Sequence, residues 1–198
     1  MVDAEQIVKL VQVGSEPASI RKVQALAAAT MRSIGYKYPS KSCAATLSHF
    51  LREAGIDVPV TTGAQNLADR LRIQRRWSKI EIGNQVPGDV GVCKSIANDV
   101  PGADHIYLVI ENKDGDLMTV ADNQAQGRTH LRRASGKPAG DESAKTPTDY
   151  FLRAPGAKQV AMADLIGGDS EVHDESTTGL PELFMDDGTS RYVEVELA

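Results

Sequence analysis

Residues 105–124 read HIYLVIENKDGDLMTVADNQ, two apolar, β-branched runs on either side of Asp114-Gly115, and the pattern predicts an antiparallel hairpin. A two-residue Asp114-Gly115 turn pairs Lys113 with Asp116. It then sets Tyr107 opposite Asp122 and His105 opposite Gln124. Directly opposed side chains share a sheet face, so Asp122 and Gln124 lie on the face of His105 while Asn123 points away. A three-residue loop with a bulge brings Asn123 to that face instead. In either register an acid or an amide stands where it can orient the imidazole of His105, which opens the strand.

Working outward, WSKIEI, DVGVCKSI, LMTVADN and DYFLRA are further candidate strands, punctuated by Pro87-Gly88 and Pro101-Gly102. The polar stretch Gly127 to Thr148 reads as a long loop. Upstream the periodicity is helical. Asp3 followed by Gln6 resembles a capping box before Ile7, Leu10 and Val11. Ser15 and Pro17 start a second helix with a stripe of Ile20, Val23, Leu26, Ala27, Met31 and Ile34, closed by Gly35. Ser42 caps a third helix in which Ala44, Leu47, Phe50, Leu51 and Ala54 recur until Gly55, and a fourth covers Ala64 to Leu71. Helices first and an antiparallel sheet afterwards predict an α+β fold.

The third helix places Cys43 in its first turn, where unpaired N–H groups and the positive end of the dipole favour a thiolate. A thiol there, a histidine opening a strand and a polar residue on the paired strand are the parts of a nucleophilic triad. Cys93, inside an apolar strand, reads as core. His49, His130 and His173 have no metal-site spacing, and two cysteines are too few for a disulfide scaffold or a zinc site. Arg70, Arg72, Arg75 and Arg76 read as a solvated helix end. They lack the interleaved aromatics of a single-strand binder, so no nucleic-acid partner is expected.

These residues resemble the papain-like cell-wall hydrolases, in particular CHAP domains (cysteine, histidine-dependent amidohydrolases/peptidases), with NlpC-type peptidases as cousins. The resemblance covers roughly residues 36–154. It rests on Cys43 opening CAATLSHFLREAGI, on WSKI followed by VPGDVGV, on HIYLVIE and its hairpin, and on DNQ after the next strand. CHAP domains follow the histidine hairpin with Glu-x-Asn, which Asp122-Asn123-Gln124 matches with Asp for Glu and Gln for Asn. NlpC-type enzymes set their third polar residue closer to the histidine, where this chain has Leu117. Small Ala44 and Ala45 stand after the cysteine, where the family is aromatic-rich.

The resemblance implies a cysteine amidohydrolase or peptidase acting on peptidoglycan peptides or their amide link to the glycan. Cys43, His105 and Asp122 would be its catalytic residues, with Asn123 and Gln124 auxiliary, and no metal or organic cofactor would be needed. A thiol acyltransferase on the same triad and a catalytically silent binding module are the alternatives.

The 198 residues carry 41% hydrophobic and 25% charged side chains and a net charge of -5, the balance of an ordinary globular chain. That charge is unevenly spread. Residues 1–154 hold 20 Lys+Arg against 17 Asp+Glu, whereas 155–198 hold two against ten. The domain reading is a helical extension over 1–35, a papain-like domain over 36–154 and a partly disordered acidic tail over 155–198 that could dock a protein partner. No apolar run reaches the roughly 18 residues of a membrane span, and MVDAEQIVKLVQVGSEP is too polar for the core of a signal peptide. A wall enzyme of this kind would need a non-classical export route.

Overall fold

A computed structural model describes residues 3–94 and 103–157. The acidic tail beyond Ala157, including RYVEVELA and His173, lies outside the described residues.

The chain begins with a single 3-10 turn, Asp3–Gln6, and continues as α1 (Ile7–Ser15) and α2 (Pro17–Ser33). Pro17 separates these two helices. It has no N–H to donate and its fixed φ suits a first helical position, so α2 restarts on it. Helices α3 (Cys43–Ala54) and α4 (Ala64–Asp69) follow, and α4 runs into a π-helical turn over Arg70–Gln74. Gly55 ends α3 at φ 95°, a left-handed conformation that costs glycine little.

Among the described residues six strands come next: β1 (Ser78–Ile80), β2 (Val90–Cys93), β3 (Ile106–Asn112), β4 (Leu117–Ala121), β5 (His130–Arg133) and β6 (Thr148–Arg153). They form one sheet of order β1-β6-β2-β3-β4-β5 with every pairing antiparallel. Helices followed by an antiparallel sheet make the α+β class, with the helix that Cys43 opens packed against β3, the strand that follows His105, as expected for a papain-like fold.

The core is divided by the alternation of the strands. One face of the sheet sends Val90, Val92, Ile106, Leu108 and Leu152 against Ile7, Leu10 and Val11 of α1 and Leu47, Phe50 and Leu51 of α3. The other face buries Cys93, Tyr107, Val109, Met118, Val120 and Phe151. Each fully buried Leu or Phe contributes on the order of 1.5–3 kcal/mol, and both α1 and α3 supply that core.

Several sequence expectations change. The segment expected as a polar loop over 127–148 contains β5, which pairs with β4 through His130 and Val120. Leu26 of α2 and Ile34, just past its end, are exposed, and the inward side of the helix is Ile20, Val23, Gln24, Ala27 and Met31. Asp3 does not cap a helix. Its carboxylate is buried and accepts from Trp77 Nε1 and Arg75 Nε, each at 2.8 Å. Arg75 is therefore tied into the fold and is not a solvated helix end.

Of the two hairpin readings the structure has the three-residue loop with a bulge, but the two offsets cancel, so that Asp122 and not Asn123 meets His105. Lys113 N donates to Leu117 O at 2.9 Å, so the loop is the three residues Asp114–Asp116, wrapped by the side chains of Asn112 and Asp114. That shifts the register by one, to Asn112↔Met118 and Glu111↔Thr119. A bulge between Val109 and Glu111 then restores it, and Leu108↔Ala121 is the pairing that a two-residue turn would have given.

Candidate active site

Cys43 is the first residue of α3, and its surroundings follow from how that helix starts. The first helical bond runs from Thr46 N to Ser42 O at 2.8 Å, so the N–H groups of Cys43, Ala44 and Ala45 have no acceptor within the helix. Ser42 does not cap them as expected, because its hydroxyl donates to the Pro39 carbonyl at 2.7 Å. The positive end of the helix faces the thiol. Burial pushes the Cys43 pKa up, but the hydrogen bond and charge of His105 and the backbone N–H groups of Ile106 and Ala44 outweigh it. The thiol is held below its ordinary value.

His105 precedes β3 and spans the space between thiol and carboxylate. Its Nε2 is 2.8 Å from Asp122 Oδ2, and Cys43 is the other group that acts on its titration. Burial alone would depress the imidazole. The Asp122 and Cys43 hydrogen bonds and charges dominate and lift its pKa to about 9. Asp122 follows β4 and is 2% exposed, so burial pushes its carboxyl up, yet the hydrogen bonds and charges of two imidazoles hold it far below the carboxylate range. The second imidazole belongs to His130, whose Nε2 is 3.1 Å from Asp122 Oδ1.

Of the residues expected as auxiliary, Asn123 turns away from His105 and donates to the Pro39 carbonyl at 2.8 Å. Gln124 contributes its backbone N–H, 2.6 Å from Asp122 Oδ1, while its side chain is exposed. Both border a groove of about 570 Å³ with Gln24, Tyr38 and Pro39. Cys93 is buried in β2 beside Arg132, whose Nη2 lies 3.0 Å from the sulfur, and burial pushes this thiol up to about 11. His49 joins α3 to α2 through Thr30 at 3.0 Å. Among the described residues, no group of three or more His, Cys, Asp or Glu is arranged to hold a metal ion, and no helix is long and apolar enough to cross a membrane.

Two contributors escaped the sequence reading. His130 was counted with the polar loop, although H-L-R-R carries the alternation of a strand, with positions 130 and 132 buried. Gln24 occupies a stripe position of α2, and a polar residue in an apolar stripe is the signal that could have found it.

No protein-family model matches the chain, and no curated protein matches it. It is similar to the solved structure of a lipoprotein-like protein of the NLP/P60 family from Staphylococcus aureus, at 16% identity and a TM-score of 0.39, over 68% of this chain. The match spans 41% of that protein's length.

Proposed function

We propose that this chain is a cysteine amidohydrolase or peptidase whose substrate is an amide of bacterial peptidoglycan. The observation that carries the reading is the 2.8 Å hydrogen bond of His105 to Asp122, together with the opposite shifts that Cys43 and His105 impose on each other, the thiol pKa lowered and the imidazole pKa raised. Those opposite shifts describe a thiolate–imidazolium pair, the resting form of an activated cysteine nucleophile.

In the reaction the Cys43 sulfur attacks the scissile carbonyl, and the carbonyl oxygen becomes an oxyanion. The N–H groups at the start of α3, that of Cys43 first, are its donors. The imidazolium of His105 gives its proton to the leaving amine, so the C–N bond breaks and an acyl-thioester remains. Neutral His105 then takes a proton from water, whose oxygen attacks the thioester and releases the acid and the thiol. Asp122 keeps the ring in the required tautomer throughout. The groove beside Asn123 and Gln124 is the natural seat for peptide flanking the cleaved bond.

The test is incubation with purified peptidoglycan fragments and mass analysis of the products. A gain of one water at an amide, lost in Cys43→Ala and His105→Ala and kept in Cys93→Ala, supports the reading. An amine adduct in place of water makes the enzyme a transferase. Turnover that survives in Cys43→Ala overturns the nucleophile.

A further inference from the structure

The geometry points to His130 as a positioning residue of this site, an imidazole that donates its Nε2–H to Asp122 Oδ1 and so fixes the carboxylate against His105. The inference rests on the triad reading above and deepens it.

The first support is the partition of the Asp122 oxygens. Oδ2 faces His105 at 2.8 Å, whereas Oδ1 receives His130 Nε2 at 3.1 Å and Gln124 N at 2.6 Å. With Oδ1 held from two directions, the carboxylate cannot rotate to swap its oxygens without breaking both contacts. A carboxylate pinned in this way is preorganised, and that preorganisation lets it orient a ring.

The second support is the tautomer. The His130 side chain is 0% exposed, and its Nδ1 has no hydrogen-bond partner. A proton on Nδ1 would be a buried, unsatisfied N–H, and it would turn the Nε2 lone pair toward a carboxylate lone pair. A proton on Nε2 removes both penalties. The nearest other charge is Glu142, whose Oε2 lies 3.9 Å from Nδ1, beyond hydrogen-bond reach, and Glu142 is itself flanked by Arg128 at 3.7 Å and Lys145 at 3.5 Å. Of the acids around this ring among the described residues, Asp122, Glu142 and Asp141, which lines a pocket with His130 and Glu142, only Asp122 is within hydrogen-bond distance to accept from it.

The placement comes from β5. His130 pairs with Val120, two residues before Asp122, so the edge strand delivers a side chain to the turn that carries the triad acid. The polar segment 127–148 therefore has a role in the site as well as in the sheet.

The experiment reads Cys43 alone, in a Cys93→Ala background, by its iodoacetamide alkylation rate from pH 4 to 10. His130→Met removes the donor at similar volume, and His130→Gln restores an N–H donor near the position of Nε2. We expect alkylation at pH 6 to fall about tenfold in His130→Met and the profile to move toward that of an ordinary thiol, with His130→Gln within about threefold of the parent. A merely structural role would not shift the pH profile or be rescued by Gln. A folded His130→Met with the parent profile overturns the inference, whereas a parent whose Cys43 reacts no faster than an ordinary thiol overturns the triad reading itself. If His130→Met does not fold, the long-range ¹H–¹⁵N imidazole spectrum of the unaltered protein decides: an Nε2–H tautomer at His130 supports the inference and an Nδ1–H tautomer overturns it.

Discussion

The side-chain amide of Gln24 donates to the backbone carbonyl of Asp122 at 3.0 Å, from a helix 98 residues earlier in the chain. The same nitrogen reaches Ala125 O at 2.9 Å, and its oxygen accepts from Gly127 N at 2.9 Å. One buried side chain on α2 thus satisfies three backbone groups of the turn that holds Asp122 in place.

Gln24→Leu is therefore expected to leave two carbonyls and an N–H buried without partners, a loss of about 2–4 kcal/mol in urea unfolding, with slower alkylation of Cys43. Gln24→Glu should not restore the stability, since it keeps the acceptor for Gly127 N but sets a second acceptor oxygen against the Asp122 and Ala125 carbonyls. Removal of residues 1–35 should prevent folding, because α1 and α2 line the same core as α3. A soluble, cooperatively unfolding fragment starting at Tyr36 would contradict this.

What could be read in the sequence follows from the range of the interactions. Cys43 at a helix start and His105 at a strand start are local facts, and a hairpin a few residues long carries Asp122 back to His105. Even there the sequence leaves the turn open between two residues and three, and the structure has three. Asn112 and Asp114 stabilise a longer loop through side-chain bonds that periodicity does not reveal, and the bulge at Val109/Glu111 compensates. Gln24 and the Asp3–Trp77 pair are contacts over long separations, and His130 reaches Asp122 from eight residues away across a strand pairing, all by polar side chains in buried places. A pattern reading assigns such residues to solvent, to a loop or to a cap, because it sees hydrophobicity and not the partner.

The pH response should divide into two limbs. The Cys43 thiol is held below its ordinary value and His105 is raised to about 9, so the ion pair exists between those two titrations. Alkylation of Cys43 should rise on the acid side and stay high at alkaline pH, since the thiolate persists there. Amide cleavage should fall as pH rises through about 9, because the imidazolium that protonates the leaving amine is lost. Folding follows the same ring. A pKa raised above the ordinary 6.5 adds stability that is complete below 6.5 and disappears as pH climbs through about 9. Cleavage and alkylation profiles that coincide at high pH would contradict the assignment of His105 as the acid.

Asp3 offers a test of the fold away from the site. Burial pushes its carboxyl up, but the Arg75 and Trp77 hydrogen bonds outweigh burial and hold it below its ordinary 3.8. A depressed acid stabilises the protein above its unfolded pKa and ceases to do so as pH falls through the folded one. Asp3→Asn should cost about 1–3 kcal/mol near neutrality, a difference that shrinks below about pH 4 as the native carboxyl protonates. Urea unfolding at pH 7 and pH 3 measures both, and an equal cost at the two values would mean that the charge plays no part.

Gly91 connects the core to the chemistry. A Cβ at this position of β2 would lie 2.1 Å from the ring of Tyr107, which faces it across the strand pair. Tyr107 has little freedom to yield. It is fully buried, its hydroxyl bonds Thr148 at 2.7 Å, the Arg132 guanidinium lies 4.6 Å over its ring, and the His105 ring stacks 6.1 Å from it. Gly91→Ala must therefore displace the tyrosine or spread β2 from β3, and forced overpacking of this kind costs about 1–3 kcal/mol. Because the displaced ring neighbours His105, the same substitution should slow Cys43 alkylation near neutral pH, which Asp3→Asn should not. Loss of stability with unchanged alkylation would show that Tyr107 yields toward Phe151 and leaves the imidazole where it is.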